Sequence, residues 1–439
     1  MRVLLIVHGF PPTHSAGAER RAERMVRWLS THDYYVEVLA IEKANDPVFR
    51  LEATEQEGVI VHRLYYDVKT GEDPFRNLYD HPIMGSTIRN ILVQQHFDLV
   101  HIISGYLMGG QAIHTVREMG LPVVITLTEY WFMCARLNLI QATGELCSGP
   151  ETIDKCTRCL LSDKRRYRMP AQAAPRLMDV VWPVTLALTP DKSAAVARRQ
   201  DVLRNALDQA DLVICPSQFL IGKFKEFGFD TEKYRYIRQG LAKQSKGHPL
   251  KSSAGGPLRV GYVGQIKPHK GVDLLLDAVM ELLKIGEKIK LEIWGKKNEV
   301  PDYSIPLQLR SRIYPRSIKW HGEYRGAQVW DVLASLDVLV IPSRWYENSP
   351  TVILEAYKMG IPVVATDLGG MAELVEHEKT GLLFEFESVS GLRRQLERLL
   401  HEPELLERLR ANIPHVKMID EEMAEIAQHY HRLVAGTTR

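Results

Sequence analysis

Short apolar runs alternate with stretches of helical periodicity along most of this chain. In the first half the runs fall at 2–7, 35–41, 59–64, 99–103, 122–127 and 212–215. They are nearly continuous in apolar residues, which predicts strands buried on both faces. Their separation by helical stretches predicts parallel βαβ units. Residues 243–257 are polar and rich in Gly, Ser and Lys, the composition of a linker. Beyond them the alternation restarts at 258–263, 289–294, 337–341 and 362–366. The predicted class is α/β, and 439 residues are long for one core, so two domains are expected. One stretch breaks the rhythm: residues 129–190 carry no good strand yet hold four of the five cysteines, ahead of a helix predicted at about 193–210. A connection of that length is usually functional or separately tied down.

Candidate chemistry concentrates after the run at 337–341. Ser349-Pro350 reads as N-cap and first helical residue, so a helix should run from there to about Gly360. This is strand, loop, helix, with the loop at the strand's carboxyl end, where open α/β sheets bind ligands. The amides of Thr351 and Val352 at the helix start suit an anion such as a diphosphate. Two carboxylates flank that point, Glu347 in the loop and Glu355 on the helix. Beside an anion they would repel it, so they are expected to face hydroxyls, Glu347 those of a sugar and Glu355 those of a ribose.

The pair resembles the Glu-x7-Glu motif of the retaining family-4 glycosyltransferases. Similar too are Gly264-Gln265-Ile266-Lys267-Pro268-His269-Lys270-Gly271, the strand 360–366 with its turn Gly369-Gly370, and the early segment Pro11-Pro12 with Gly17 in Ala16-Gly17-Ala18-Glu19. The resemblance implies two Rossmann-like domains facing across a cleft (the GT-B arrangement), here with a Cys-rich insertion at about 129–190. It divides the chain into an acceptor domain at 1–242, the linker at 243–257 and a nucleotide-sugar donor domain at 258–417, with a last helix from about 418 to 439 crossing back onto the first domain. It further implies Glu347 and Lys270 as catalytic residues. Gly17, Gly264, Gln265, Lys267, Asn348, Ser349, Pro350, Thr351, Val352, Glu355 and Gly370 would line the donor. The reaction implied moves a hexose from a nucleotide-diphosphate donor to a hydroxyl of a glycan or lipid-linked acceptor. The leaving diphosphate would accept the incoming proton on the same face, with no covalent intermediate. Alternatives are a nucleotide-sugar epimerase or hydrolase on the same scaffold, disfavoured by the glutamate spacing, and a non-catalytic nucleotide-sugar-binding protein.

Two positions depart from the family pattern. Gln265 stands where an arginine usually shares the diphosphate with the lysine, which leaves Lys267 or His269 to assist. Thr128-Glu129 stands where a histidine and an aspartate usually close a strand on the sugar side. Thr128 can hydrogen-bond but cannot carry a proton charge. His101, at the end of the preceding run, is a candidate neighbour. The sequence has no Asp-x-Asp, so no catalytic metal is expected and Lys270 with helix dipoles must supply positive charge.

Cys134, Cys147, Cys156 and Cys159 are spaced C-x12-C-x8-C-x2-C. That spacing predicts a structural zinc site, with an iron–sulfur cluster or unligated thiols as alternatives. A formal net charge of +2 argues against dedicated nucleic-acid binding. No apolar run reaches the roughly 18 residues of a membrane span, and residues 1–7 are too short for a signal-peptide core. The cytoplasm is the expected compartment. Peripheral association with its membrane face is open through Lys164-Arg165-Arg166-Tyr167-Arg168, a run that also reads as an ordinary solvated face.

Overall fold

The computed structural model describes residues 1–14, 16–43, 49–68, 73–242, 256–324 and 326–437. The chain forms two compact units, Met1–Gln239 with Ile419–Arg439, and Gly240–Met418. The division comes slightly before the expected 242, because Leu241 already donates to the carbonyl of Lys417, 3.0 Å away, in the second unit. Most of the predicted linker lies outside the described residues.

The first unit is built on eight strands: β1 Arg2–His8, β2 Tyr35–Lys43, β3 Arg50–Gln56, β4 Val59–Tyr66, β5 Leu99–Ile103, β6 Val123–Thr126, β7 Leu212–Cys215 and β8 Tyr234–Tyr236. Their order is β3-β4-β2-β1-β5-β6-β7-β8, with every pairing parallel except β3 on β4. The chain goes from β1 outward to β2 and later returns to the other side as β5, so the topological switch lies between β1 and β5. β3 and β8 have no counterpart among the predicted strands. β3, Arg-Leu-Glu-Ala-Thr-Glu-Gln, is an exposed antiparallel edge and buries no apolar face. β8 spans only three residues.

The last helix, Ile419–Thr437, belongs to this unit. Its Ile419, Met423, Ile426 and Tyr430 join Val3, Leu5, Met25 and Val38 in one buried cluster. Arg21 on the first helix (Gly17–Ser30) forms a buried ion pair of 2.5 Å with Glu422. Between β6 and the helix Pro190–Asp208 the chain has three helices, Ile153–Ser162, Arg165–Ala173 and Pro175–Ala187, and one isolated bridge, Ile140 to Leu146. A small cluster of Leu161, Ala171, Met178 and Trp182 is the core of these helices.

The second unit is a six-stranded parallel sheet of β9 Leu258–Val263, β10 Ile289–Trp294, β11 Ile318–Gly322, β12 Val338–Ile341, β13 Val363–Thr366 and β14 Gly381–Phe384. The order is β11-β10-β9-β12-β13-β14, which puts the switch between β9 and β12. Separate apolar clusters form around Val260, Leu275, Leu291 and Val340, and around Val263, Leu339, Ile353 and Ala365. The alternation of these β9 and β12 residues between the clusters is the period-two geometry of strands covered on both sides. Asp337, fully buried, accepts from the backbone amide of Arg259 at 2.8 Å and from its guanidinium at 2.8 and 3.0 Å, locking β9 to the start of β12.

Candidate functional site

At the β9/β12 switch two loops meet. The first leaves β9 as Gly264-Gln265-Ile266-Lys267, tightens into a 3-10 turn at Pro268–Lys270 and turns at Gly271, φ +69°. A Cβ at Gly271 would stand 1.9 Å from the carbonyl oxygen of Pro342, so the turn can lie against the end of β12 only with glycine there. This approach delivers Lys270 to the second loop. Its Nζ is 2.6 Å from Glu347 Oε1, and Ser343 Oγ donates to the same oxygen at 2.9 Å. Lys270 Nζ also lies 4.8 Å from the centre of the Trp345 ring, a cation–π contact. Glu347 is buried, so its charge is held by these partners and not by bulk water.

Glu347 is further fixed through its backbone. Its carbonyl accepts from the amide of Gly370 at 2.7 Å, and a Cβ at Gly370 would stand 1.9 Å from the carbonyl of Asn348. Gly370 therefore serves close packing of the second glycine turn onto the 347–348 segment. The helix that follows, Thr351–Lys358, has Pro350 as its N-cap and no side-chain cap. The expectation that Ser349 caps it and Pro350 is its first residue is corrected by one position. Its first amides, including those of Thr351 and Val352, have no carbonyl of a preceding turn to bond. Glu355 sits half-buried on this helix, a turn beyond its start.

The neighbours expected to assist Lys270 do not do so as free cations. Lys267 is paired with Glu299 at 2.8 Å. For His269, burial, and after it the adjoining Lys270 ammonium, push the pKa down to about 4, so the ring is neutral at neutral pH. Gln265 exposes its side chain, while its carbonyl accepts from the buried Tyr262 hydroxyl at 2.5 Å. Gly264 has only the Tyr262 side chain near the place a Cβ would take, 3.3 Å away at closest. Arg344, which no sequence signal singled out, clamps the two loops. Its guanidinium bonds both oxygens of Asp273 at 2.7 Å, its amide donates to the His269 carbonyl at 2.8 Å, and Asp273 in turn accepts from Tyr303 at 2.6 Å.

The first unit holds the remaining candidates. Thr128 and Glu129 follow β6 beside Ser104, which follows β5 in the left-handed region at φ +67°. Glu129 accepts from Ser104 Oγ at 2.7 Å and from the Thr128 hydroxyl. Burial raises its pKa, opposed by the hydrogen bonds from Thr128 and Ser104. Gly17 opens the first helix, and a Cβ there would meet nothing within 4 Å, so packing does not require glycine at that point. The structure places His101 in the core of the first sheet. It is fully buried, with Nε2 2.8 Å from Thr126 Oγ1 and Nδ1 hydrogen-bonded to the Tyr430 hydroxyl. Burial drives its pKa down to about 3. It packs the final helix against the sheet. The four clustered cysteines line one cavity. Among the described residues, however, no three His, Cys, Asp or Glu side chains stand arranged around a common ion.

Lys270 is thus bound to a buried carboxylate ahead of an uncapped helix start at a topological switch, an arrangement whose amides and ammonium can receive an anion. Residues 248–416, which span it, match glycosyl transferases group 1. Among curated relatives, the chain is 32% identical over 155 residues to an alpha-D-kanosaminyltransferase of Streptomyces kanamyceticus, over 34% of this chain and 38% of that protein. It is 31% identical over 139 residues to the lipopolysaccharide core biosynthesis mannosyltransferase LpsB of Rhizobium meliloti, over 30% of this chain and 38% of the relative. The matches thus span well under half the length of these relatives. Among solved structures, a sucrose-phosphate synthase from Thermosynechococcus elongatus superposes with a TM-score of 0.67 at 16% identity, covering 99% of both chains. The Anabaena protein HepE in complex with UDP superposes with a TM-score of 0.65 at 16% identity, covering 98% of this chain and 100% of that one. At such identities the likeness concerns the fold alone, that of two α/β units on largely parallel sheets.

Proposed function

We propose that the chain is a retaining glycosyltransferase of the Glu-x7-Glu type, moving a hexose from a nucleotide-diphosphate donor to a hydroxyl of a glycan or lipid-linked acceptor. The observation that carries this reading is the 2.6 Å contact between Lys270 and Glu347 beside the start of the Thr351–Lys358 helix. Lys270 and the amides of Thr351 and Val352 then bind the diphosphate, Glu355 the ribose, and Glu347 the transferred sugar. An arriving diphosphate competes with Glu347 for the lysine, which frees the carboxylate to turn to the sugar hydroxyls. Positive charge comes from fixed groups, so catalysis needs no divalent metal. Residues 129–190 are read as an insertion in the acceptor unit.

The acceptor side is read as facing the cytoplasmic membrane surface. On the Pro175–Ala187 helix Leu177, Val180 and Val184 are exposed, as are Met169 and Leu188 beside it, and the basic run 164–168 adjoins them. Apolar side chains next to cations suit an anionic lipid surface. Among the described residues no helix is long and apolar enough to cross a membrane.

Incubation of the purified chain with radiolabelled UDP- and GDP-sugars tests the main reading. Slow release of the nucleoside diphosphate without acceptor, and its loss in Lys270→Ala, is the expected result. A chain that neither binds nor cleaves any donor in the panel would sink it.

A further inference from the structure

The cavity lined by the four cysteines also contains a charge that the described residues do not balance. Cys134 follows a turn closed by its own amide on the Tyr130 carbonyl, 2.7 Å, and Cys147 is tied by its amide to the Leu139 carbonyl, 2.7 Å. Cys156 and Cys159 stand on the Ile153–Ser162 helix at a spacing of i, i+3, which puts both on one face. All four line one cavity. Arg199, from the Pro190–Asp208 helix, lines the same cavity.

Arg199 is 2% exposed, lies 4.2 Å over the Trp131 ring and donates to the Trp131 carbonyl, while its Nε has no hydrogen-bond partner. Among the described residues no carboxylate pairs with it. A buried cation without a counter-charge is costly, and burial pulls its pKa down to about 10 with the Cys134 thiol as the largest opposing influence. Buried charges in proteins are paired or stand beside a bound ion. A thiol that keeps its proton is neutral and supplies no counter-charge. Hydrogen-bond donors to sulfur are in place, with Gln200 Nε2 3.7 Å from Cys156 Sγ and a backbone hydrogen bond from Ala142 to Cys159.

We propose that Cys134, Cys147, Cys156 and Cys159 form a four-thiolate site for one structural zinc ion, whose surplus negative charge Arg199 partly offsets from the cavity wall. A divalent ion with four thiolates carries two negative charges in excess, and binding it releases the thiol protons to solvent. The thiols must turn toward a common centre, since no three stand around one in the structure. Four protein ligands leave no open position for substrate, so the ion is structural. It would anchor the strandless segment that follows Trp131, ahead of the helices whose small cluster is Leu161, Ala171, Met178 and Trp182.

The test is independent of the transferase reading. Full-length protein, purified without a histidine tag under reducing conditions with zinc in the growth medium, should carry about one zinc per chain by elemental analysis. Cys215→Ser, on the buried strand β7, should keep that zinc, whereas Cys156→Ser with Cys159→Ser should lose it. If the double variant does not fold, mercurial titration of the native parent replaces it: zinc should appear, read with a chromogenic chelator, as four thiols react. Less than about a tenth of an equivalent of zinc in the parent would overturn the site, as would iron in its place or disulfides mapped among the four cysteines.

Discussion

Glu347 and Glu355 share a charge and differ in surroundings, and the difference predicts opposite mutant behaviour. Glu355 stands on the helix whose first turn offers the anion site, so Glu355→Ala should weaken binding of the donor's nucleoside diphosphate. Losing a hydrogen bond to a charged acceptor costs about 1.5–3 kcal/mol. Glu347 instead ties up Lys270 at 2.6 Å. Glu347→Ala should therefore bind nucleoside diphosphate at least as tightly as the parent while turnover falls steeply. Isothermal titration decides both: unchanged affinity in Glu355→Ala, or a clear loss in Glu347→Ala, would assign these residues the wrong way round.

At the scale of elements, the last helix is held to the first sheet by a histidine kept neutral. His101 falls from the ordinary value of 6.5 to about 3 because burial opposes its charge. The unfolded chain therefore takes up a proton at pH values where the folded chain does not. This contribution to stability is complete above about 6.5 and is lost as pH falls toward about 3, at up to about 1.4 kcal/mol per pH unit. Urea unfolding at a series of pH values should show the decline in the parent and a shallower one in His101→Gln. Equal slopes would mean that the acid sensitivity lies elsewhere. A second clamp, Arg344 on Asp273, holds the lysine turn against the loop after β12. Arg344→Gln should accordingly raise the donor KM roughly tenfold or more with the fold intact, at about 1.5–3 kcal/mol for a lost charged hydrogen bond; an unchanged KM would show that the turn holds without it.

Across the whole molecule, two consequences of the proposed chemistry can be measured. Donor cleavage by gel-filtered protein should proceed in buffer free of divalent metal, and adding Mg²⁺ or Mn²⁺ should leave the rate within about twofold. Full dependence on either ion would contradict a site run by fixed cations. Vesicles containing an anionic phospholipid should sediment the chain at low salt, and Val180→Asp with Leu188→Asp should abolish this. Equal binding to neutral vesicles, or none at all, would remove the membrane reading.

The sequence by itself determined the α/β class and most of the strands, though not β11 and β14, because strands buried on both faces must be continuously apolar and glycine must stand where backbones touch. Thus β1, β2, β9 and β12 are legible from their runs, and Gly271 and Gly370 from the tight approaches they permit. The exposed edge β3 and the three-residue β8 escaped because they bury too little to leave a pattern. Which charged groups meet was decided by tertiary structure alone. Lys270 and Glu347 are 77 residues apart, and only the return of the chain from β11 to β12 brings them together. Arg344 gave no signal, because its partner Asp273 stands on the helix Val272–Lys284 that follows the lysine turn. The core contact of His101 gave no signal for the same reason: its partner Tyr430 lies 329 residues away, on a helix that only folding sets against the sheet. Local pattern records what one segment must bury or avoid, whereas the pairing of distant polar groups is written in no segment and arises from the order of strands in the sheet.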